Sequence, residues 1–222
     1  FYTSSEKIKT KAVISSSFFS RPLTAELNLT GEFQAQNAAL AALAVKTAFP
    51  EISEDIIEKG LSKTSLPARF ELIKNPQNFS EIPYLVLDGA HTPKSIKLTL
   101  ETIKNANIKI DALLFACAQD KHSKEIAELF SQSKVTDSKN FQKIFLTVPG
   151  NVKKSDLPEV ENSFASAGLA FDSDSDYKKQ IEKVLDFCNS NKKTLLITGS
   201  FYLVAEVTKI LGTRFETPHV IS

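Results

Sequence analysis

The chain has 222 residues, of which 42% are apolar and 24% charged, and its formal net charge is +1. These values are ordinary for a globular protein. A nearly neutral charge excludes bulk electrostatic attraction as the basis for binding nucleic acid or an anionic membrane. The apolar runs are too short to cross a bilayer, and the N-terminus lacks the pattern of a secretory signal peptide. We therefore expect a cytoplasmic protein without nucleic-acid or membrane partners.

Two residue counts bear on what kind of chain this is. The chain begins at Phe1 and contains no methionine. We therefore expect it to be the C-terminal part of a longer polypeptide, the alternative being that modified methionines are missing from the sequence. Of the two cysteines, Cys117 falls in an apolar strand and Cys188 on the apolar side of a helix. This placement predicts two reduced thiols in the core, although a disulfide stays open.

The segment before residue 49 predicts two short strands followed by a helix. Residues 7–29 are β-branched or alternate in polarity without a helical period, and a turn is predicted near residues 20–22. Residues 31–48 are rich in alanine, which predicts a helix. The larger residues on one side of this helix are Phe33, Leu40, Leu43 and Ala44.

A second, short helix is predicted over 53–61. Ser53 is placed at its N-cap, Ile56 and Ile57 are expected to face inward, and Gly60 is expected to end it. Two strands and two helices make a poor core alone, so we interpret residues 1–65 as an incomplete domain.

The remaining residues, 66–222, alternate apolar strands with amphipathic helices. Strands are predicted over 70–74, 84–87, 112–116, 143–148, 169–171 and 194–198. Helices are predicted over 93–105, 123–131, 156–167, 177–190 and 201–211. This alternation is typical of the α/β class, with a doubly wound, mainly parallel sheet. The loop after 70–74 is too short for a crossover, so this strand is expected to lie antiparallel at an edge.

Several common functional motifs are absent from the sequence. The seven glycines are too far apart for a dinucleotide fingerprint or a phosphate loop. The three histidines lack ligand spacing, so no metal site is predicted within the chain. The acidic run 172–176 is predicted to be a solvated loop and helix start. A metal loop is the alternative, but the run lacks the glycine and closing glutamate of a calcium loop.

The most informative segment, 84–93, reads YLVLDGAHTP and places a carboxylate and an imidazole where a buried strand ends. Thr92 can cap the helix that follows, and Pro93 suits its first turn. Ligands of α/β sheets bind at such strand ends, where helix N-termini favour anions. Asp88 is suited to accept hydrogen bonds from a ribose and His91 to bind a carboxylate or phosphate. An ordinary structural turn is the alternative.

Other polar residues suit the same kind of ligand. Asn37, in the alanine-rich helix, can pair with an adenine edge, although a capping or solvated role is the alternative. Arg69, at a loop-to-strand junction, can reach a phosphate, a surface ion pair being the alternative. Ser200 starts the last helix, where a turn can hold an anion, but a capping serine needs no ligand. Asp120 and Lys121 follow another strand and would lie at the same edge of the sheet.

Together these residues resemble the folylpolyglutamate synthase/dihydrofolate synthase family, within the Mur-type ATP-dependent ligases. The resemblance extends over 27–211. It rests on Gly31-x-x-Gln34-x-x-Asn37-Ala38, Pro67-x-Arg69-Phe70-Glu71, Asp88-Gly89-Ala90-His91-x-Pro93, Asp120-Lys121 and Thr198-Gly199-Ser200-x-Tyr202-Leu203-Val204. Ala68 and Thr92 stand where the family usually has Gly and Asn, and the form around Thr92 leans toward the cell-wall peptide ligases.

The resemblance implies a role for each candidate residue. ATP would be held by Asn37 at adenine, Arg69 at phosphate and Asp88 at the ribose. The incoming L-glutamate would be held by His91, Ser200, Asp120 and Lys121, of which His91 and Ser200 are the candidate catalytic residues.

The resemblance also implies a domain organisation and a reaction. Residues 66–222 would be a Mur ligase-type C-terminal domain, and residues 1–65 the end of the central ATPase domain. The implied cofactors are ATP and Mg²⁺, whose ligands are expected in the N-terminal ATPase domain of the same chain, itself an implied partner. The implied reaction adds L-glutamate to folate or dihydropteroate through an acyl phosphate, and the fragment alone is expected to be inactive. A cell-wall (UDP-MurNAc) peptide ligase and a non-catalytic nucleotide-binding module are the alternatives.

Overall fold

Residues 9–133, 135 and 141–212 are described by the structure, a computed structural model. They form two sheets, one of two strands and one of six. The outer ends of the two predicted domains, 1–8 and 213–222, lie outside the described residues. The change from one sheet to the other falls between β2 (Leu23–Leu27) and β3 (Glu71–Lys74), and the boundary at residue 65 stays a prediction.

The helices of the second part lie within one residue of their predicted bounds. In chain order the elements are β1 (Thr10–Ile14), β2 (Leu23–Leu27), α1 (Glu32–Ala48), α2 (Glu54–Lys63), β3 (Glu71–Lys74), β4 (Tyr84–Asp88), α3 (Pro93–Asn105), β5 (Ala112–Phe115), α4 (Ser123–Gln132), β6 (Lys143–Leu146), α5 (Leu157–Ser166), β7 (Asp172–Ser173), α6 (Tyr177–Asn191), β8 (Leu195–Thr198) and α7 (Phe201–Ile210). The regular spacing of apolar residues predicts these helices well, because each helix packs one apolar stripe against the sheet.

The six-stranded sheet has the order β3-β4-β8-β5-β6-β7. Only β3 pairs antiparallel, with β4 at the edge, and the other pairs are parallel. Helices α3, α4 and α5 supply one buried cluster and α6 and α7 the other, so the sheet lies between two helical layers. The predicted α/β class, with its mainly parallel sheet and antiparallel edge strand, is confirmed.

The strand predicted over 169–171 is wrong in position. The edge strand β7 comprises Asp172 and Ser173, which pair with β6. The apolar residues before it are used elsewhere: the Leu169 N–H donates to Phe164 O at 3.0 Å, and Phe171 packs against the Phe164 ring. The acidic run is therefore partly a strand rather than only a solvated loop, and its last residue, Asp176, caps α6.

The buried side of α1 is not the one that carries its larger residues. Gln34, Ala38 and Ala42 are buried, whereas Leu40 is 67% exposed. The small alanines allow α1 to pack closely on the inner face of the β1–β2 hairpin, where a larger residue would hold the helix away.

Two expectations for α2 are also wrong. Ile57 is buried, but Ile56 is 61% exposed, because neighbouring helical residues point about 100° apart and only one can face the hairpin. Gly60 lies inside the helix, which continues until the Thr64 N–H donates to Gly60 O at 3.1 Å. Ser53 holds the N-cap position without a side-chain hydrogen bond.

An ion-pair cluster fastens α2 to the turn between β1 and β2. The Arg21 guanidinium donates to both oxygens of Glu58, at 2.7 and 2.8 Å, and the Thr24 N–H donates to the same carboxylate at 2.6 Å. Arg21 also contacts Asp55. These donors, Arg21 first, lower the pKa of Glu58 to about 2 from its ordinary 4.5. The folded state therefore holds this carboxylate in its charged form.

We expect Glu58→Gln to weaken folding at neutral pH and to flatten its acid dependence. Because the folded-state pKa of Glu58 lies below its ordinary value, its stabilisation is present above about pH 4.5 and is lost as the pH falls toward 2. Urea unfolding at several pH values measures this. Asp55→Asn is the control: it removes a carboxylate from the same arginine, but one whose side chain is 86% exposed. An unchanged acid slope in Glu58→Gln would contradict the assignment.

Both cysteines are buried and free, as predicted, and burial raises the pKa of each thiol to about 12. Thiols that stay protonated are poor nucleophiles, so these cysteines are core residues. Among the described residues, no helix is both long enough and apolar enough to cross a lipid bilayer.

Candidate functional site

The carboxyl ends of β4 and β8 are neighbours in the sheet, and we term the space beyond them the crevice. The two strands are parallel neighbours, with Asp88 paired to Thr198 in register. Beyond these residues the chain turns to opposite faces, into α3 after β4 and into α7 after β8. A parallel sheet opens a ligand crevice at such a topological switch point. Arg69, Asp88, His91 and Ser200 come from the segments that border it.

Asp88 forms the floor of this crevice. Its carboxyl group is buried and accepts a hydrogen bond from Thr99 Oγ1 on α3 at 2.5 Å. Burial raises the pKa of Asp88, while Thr99, the backbone N–H groups of Ala90 and Phe70, and the charge of Arg69 lower it. A carboxyl group fixed by several donors is pre-oriented to accept the hydroxyl groups of a sugar.

His91 lies three residues after Asp88, in the loop between β4 and α3, and its ring is held in one orientation. Its Nδ1 lies 2.8 Å from Gly89 O, and because a carbonyl oxygen only accepts, Nδ1 carries a proton. In the neutral ring Nε2 is then an acceptor. The next residue, Thr92, caps α3 through a reciprocal capping box with Ser95, and Pro93 opens the helix, as predicted. The capped start of α3 thus holds the loop that carries His91 in place.

Ser200 lies across the crevice at the start of α7. Its side chain is buried and accepts the Tyr202 N–H at 3.1 Å as an N-cap, as predicted. The turn before it is joined to the β4 loop, because the N–H of Gly199 and the hydroxyl of Thr198 both donate to Ala90 O, at 2.8 and 3.2 Å. The serine hydroxyl and the helix N-terminus therefore keep a constant position relative to the loop that carries His91.

An aromatic ring lies between the two sides. The Arg69 guanidinium carbon stands 4.7 Å from the centroid of the Phe201 ring, and the His91 ring meets Phe201 at a centroid distance of 5.8 Å and an angle of 63°. Arg69 thereby belongs to the crevice and is not an isolated surface charge.

Asp120 and Lys121 follow β5, which neighbours β8 on its other side. They lie at the predicted edge of the sheet but are paired with each other, Nζ to Oδ2 at 3.0 Å, and Lys121 lowers the pKa of Asp120. Asp120 is 75% exposed in its side chain, and His122 pairs with Glu125. Their loop is joined to the next one by a bond from the Gln119 N–H to Lys154 O.

Asn37 lies on a different element, α1. Its amide donates to Gln34 Oε1 at 3.0 Å, and its face of the helix is exposed. The start of α1 lies beside α3, since a side-chain carbon at Gly31 would stand 3.1 Å from Thr102 Oγ1. The structure thus brings four predicted site residues together at the crevice and leaves Asn37 on the neighbouring part.

Sequence reasoning missed two residues of this site, Thr99 and Phe201. Each carried a signal in the pattern. Thr99 is a polar residue on the apolar side of α3, and Phe201 is a large aromatic at the first position of a helix, where exposed residues are usual.

No metal site accompanies the crevice in the described part of the chain. No group of three or more His, Cys, Asp or Glu residues there could hold a metal ion.

No protein-family model matches the chain. It is 29% identical over 193 residues to the dihydrofolate synthase/folylpolyglutamate synthase of Bacillus subtilis, covering 83% of this chain and 40% of that protein. It is 27% identical to the folylpolyglutamate synthase of Lacticaseibacillus casei, covering 84% and 40%. This chain is a homologue of the folylpolyglutamate/dihydrofolate synthases of the Mur ligase superfamily. It spans about 40% of the length of the curated relatives it matches.

Solved folylpolyglutamate synthases share the fold of this homologue. The Mycobacterium tuberculosis enzyme complexed with ADP and AMPPCP has a TM-score of 0.68 at 18% identity, covering 86% of this chain and 43% of that one. Escherichia coli FolC in complex with ADP has a TM-score of 0.65 at 20% identity, covering 85% and 41%. A cell-wall ligase, the UDP-N-acetylmuramoyl-L-alanyl-D-glutamate–2,6-diaminopimelate ligase of Clostridium perfringens, is 29% identical over only 43% of this chain.

Proposed function

We propose that this chain supplies the ribose, adenine and phosphate-tail contacts and half of the glutamate site of an ATP-dependent ligase that extends folate or dihydropteroate with L-glutamate. The observation that carries the proposal is the convergence of Arg69, Asp88, His91 and Ser200 at the β4–β8 crevice. One side offers a cation and a buried carboxyl group, which suit a nucleotide. The other side offers a helix N-terminus, which suits the carboxylate of an amino acid, and an imidazole whose accepting Nε2 suits its amino group.

The proposed reaction has two steps. The γ-phosphoryl group of ATP is transferred to a carboxylate oxygen of the folate substrate, giving an acyl phosphate and ADP. The amine nitrogen of L-glutamate then attacks the acyl carbon, the bond to the phosphate oxygen breaks, and phosphate leaves as the amine loses a proton. Binding both reactants in place is the main contribution of the protein to such a reaction.

On the nucleotide side, each residue has a distinct proposed contact. Asp88, held by Thr99, accepts the ribose hydroxyls, and Arg69 neutralises negative charge on the phosphates. Asn37 presents an exposed amide to adenine. Mg²⁺ would screen the phosphates when bound, and its ligands are proposed to lie in the ATPase domain of the same polypeptide.

On the glutamate side, Ser200 and the α7 N-terminus lie opposite His91. Both can donate to a carboxylate, Ser200 through its hydroxyl and the helix through backbone N–H groups of its first turn. Asp120 and Lys121 stand farther along the same edge, where Lys121 would bind a second carboxylate and Asp120 the amine.

An N-terminal ATPase domain of the same polypeptide is the proposed partner. Its support is the apolar surface left exposed on residues 9–65: Leu40, Phe18 and Phe49 are more than half exposed. The relatives are also more than twice as long as the segment they share with this chain. We propose that this domain covers these side chains and holds the phosphates, so residues 1–222 alone give no ligase turnover.

The full-length gene product tests the function. It is expected to extend folate with L-glutamate in an ATP-dependent reaction, and Ser200→Ala and His91→Ala are each expected to lower kcat/KM about 10- to 100-fold by removing a preorganised hydrogen-bonding group. His122→Ala, an exposed histidine at the same edge of the sheet, is the matched control and should leave kcat/KM unchanged. Equal effects of His91→Ala and His122→Ala would refute the assigned site.

The identity of the acceptor substrate needs its own test, because the chain is also similar to a cell-wall ligase. The same protein is offered folate, dihydropteroate and a UDP-MurNAc peptide in parallel. Extension of the peptide alone would replace the folate assignment, and nucleotide binding without turnover on any acceptor would favour a non-catalytic module.

A further inference from the structure

Phe201 contacts both Arg69 and His91 at the crevice. It is the first residue of α7 and directly follows Ser200. Its ring face receives the Arg69 guanidinium at 4.7 Å, and its ring meets the His91 imidazole at 5.8 Å. The rest of the ring packs against the core cluster beneath α7 and is only partly exposed.

The end of β4 is shaped to admit this ring. A side-chain carbon at Gly89 would lie 2.3 to 2.7 Å from three carbons of the Phe201 ring. Real side-chain carbons do not come so close, so any residue other than glycine at position 89 would push the ring away. The loop that carries His91 and the helix that Ser200 caps therefore interlock through Gly89 and Phe201.

The geometry of these contacts leaves the polar edges available. A guanidinium stacked on a ring uses its flat face, and its N–H groups lie in the plane, where they can bind phosphate oxygens. The His91 ring meets Phe201 while its Nδ1 is held by Gly89 O, which leaves Nε2 as the atom that a ligand can reach. The aromatic ring thus constrains both groups without using their hydrogen-bonding atoms.

We propose that Phe201 is a positioning residue that sets the distance between the phosphate-binding Arg69 and the glutamate-binding pair His91 and Ser200. The inference rests on the proposed function for the identity of the two ligands. The positioning itself is a property of the chain without ligand. The two parts can therefore be tested by separate measurements.

The experiment compares Phe201→Leu with Phe201→Tyr in the 222-residue chain. Leucine keeps apolar packing but removes the aromatic face, whereas tyrosine keeps the face. NMR relaxation of the ligand-free protein measures how rigidly the Arg69 side chain and the His91 ring are held, a readout that does not depend on the ring current of Phe201. Calorimetry with ATP follows binding in the full-length gene product, because the phosphates are proposed to be held by its ATPase domain. Phe201→Leu is expected to make both side chains more mobile and to lower ATP affinity roughly three- to tenfold, the cost of ordering a freed arginine side chain when the ligand binds.

The controls separate positioning from general stability. Phe201→Tyr should keep both side chains rigidly held and retain the affinity. Tyr202→Leu, which alters the neighbouring and more exposed aromatic of the same helix, should change neither. Gly89→Ala approaches the ring from the other side and should disturb Arg69 and His91 as Phe201→Leu does, which keeps the test valid if one variant folds poorly.

Unchanged mobility of Arg69 and His91 in Phe201→Leu, or equal behaviour of the leucine and tyrosine variants, would overturn the proposal. Increased mobility of both side chains in Phe201→Leu together with reduced affinity supports it. If the full-length wild-type protein binds no ATP, the proposed function fails at this site, and the NMR comparison alone still upholds or overturns the positioning role.

Discussion

Gly199→Ala is expected to lower the free energy of unfolding by about 2–5 kcal/mol, the largest stability effect that the structure predicts. Gly199 has a φ of +101°, a conformation that side chains oppose. A side-chain carbon there would also lie 2.3 Å from the carbonyl oxygen of Ala116 and 2.5 Å from the Phe115 ring. Neither the backbone of the β5 end nor a buried ring can move aside cheaply. Urea unfolding of the purified chain measures the loss.

Gly168→Ala is the matched control for this prediction. Gly168 also has a positive φ, +74°, but a side-chain carbon there would have no neighbour within 4 Å. It should therefore cost only the backbone strain, about 1–2 kcal/mol. The difference between the two variants isolates the close packing of the β8 turn on β5. A Gly199→Ala variant that is no less stable than Gly168→Ala would show that this packing is looser than the structure indicates.

The second large effect concerns nucleotide binding. Asp88→Asn is expected to weaken ATP binding about 10- to 100-fold, the value of hydrogen bonds between a charged group and the ribose hydroxyls. The new amide would also direct N–H groups toward the backbone N–H groups of Ala90 and Phe70, which face the carboxyl group. Calorimetric titration of the full-length gene product with ATP measures the change, and thermal unfolding monitors the fold in parallel.

Two further variants make this result specific. Asp172→Asn removes a carboxylate that is also held by a lysine and an amide, but at the far edge of the sheet, and should leave ATP affinity unchanged. Thr99→Val removes the hydroxyl that holds Asp88 and should weaken binding in the same direction by a smaller factor. A loss of affinity in Asp172→Asn equal to that in Asp88→Asn would assign the effect to net charge instead of the ribose contact.

Local signals in the sequence were sufficient for the elements around the site. The capping threonine and proline defined the start of α3, and the glycine-serine turn defined the start of α7, because both are short-range hydrogen-bonding patterns. The apolar run before Asp88 defined β4, since a strand buried on both faces has no polar positions. These local patterns alone placed Asp88, His91 and Ser200 at strand ends and helix starts.

The sequence predictions were wrong where packing against another element, and not the spacing of apolar residues, decides which side chains are buried. In α1 the small side chains Ala38 and Ala42 are the ones buried against the hairpin, whereas Leu40 faces outward and Leu43 is only partly buried. The apolar residues Leu169 and Phe171 close the end of α5 instead of pairing as a strand. In both cases the sequence is compatible with the predicted arrangement as well as with the observed one. Packing against a neighbouring element decides between the two.

The sequence by itself determined the kinds of elements, their ends, the α/β class and the polar residues at the carboxyl ends of the strands, because these depend on interactions between residues close in the chain. Only the tertiary structure decided that β8, the last strand, lies between β4 and β5. That insertion brings Ser200 and Phe201 across from His91, although more than 100 residues separate them. Strand order depends on long-range packing of helices on the two faces, which no local pattern encodes.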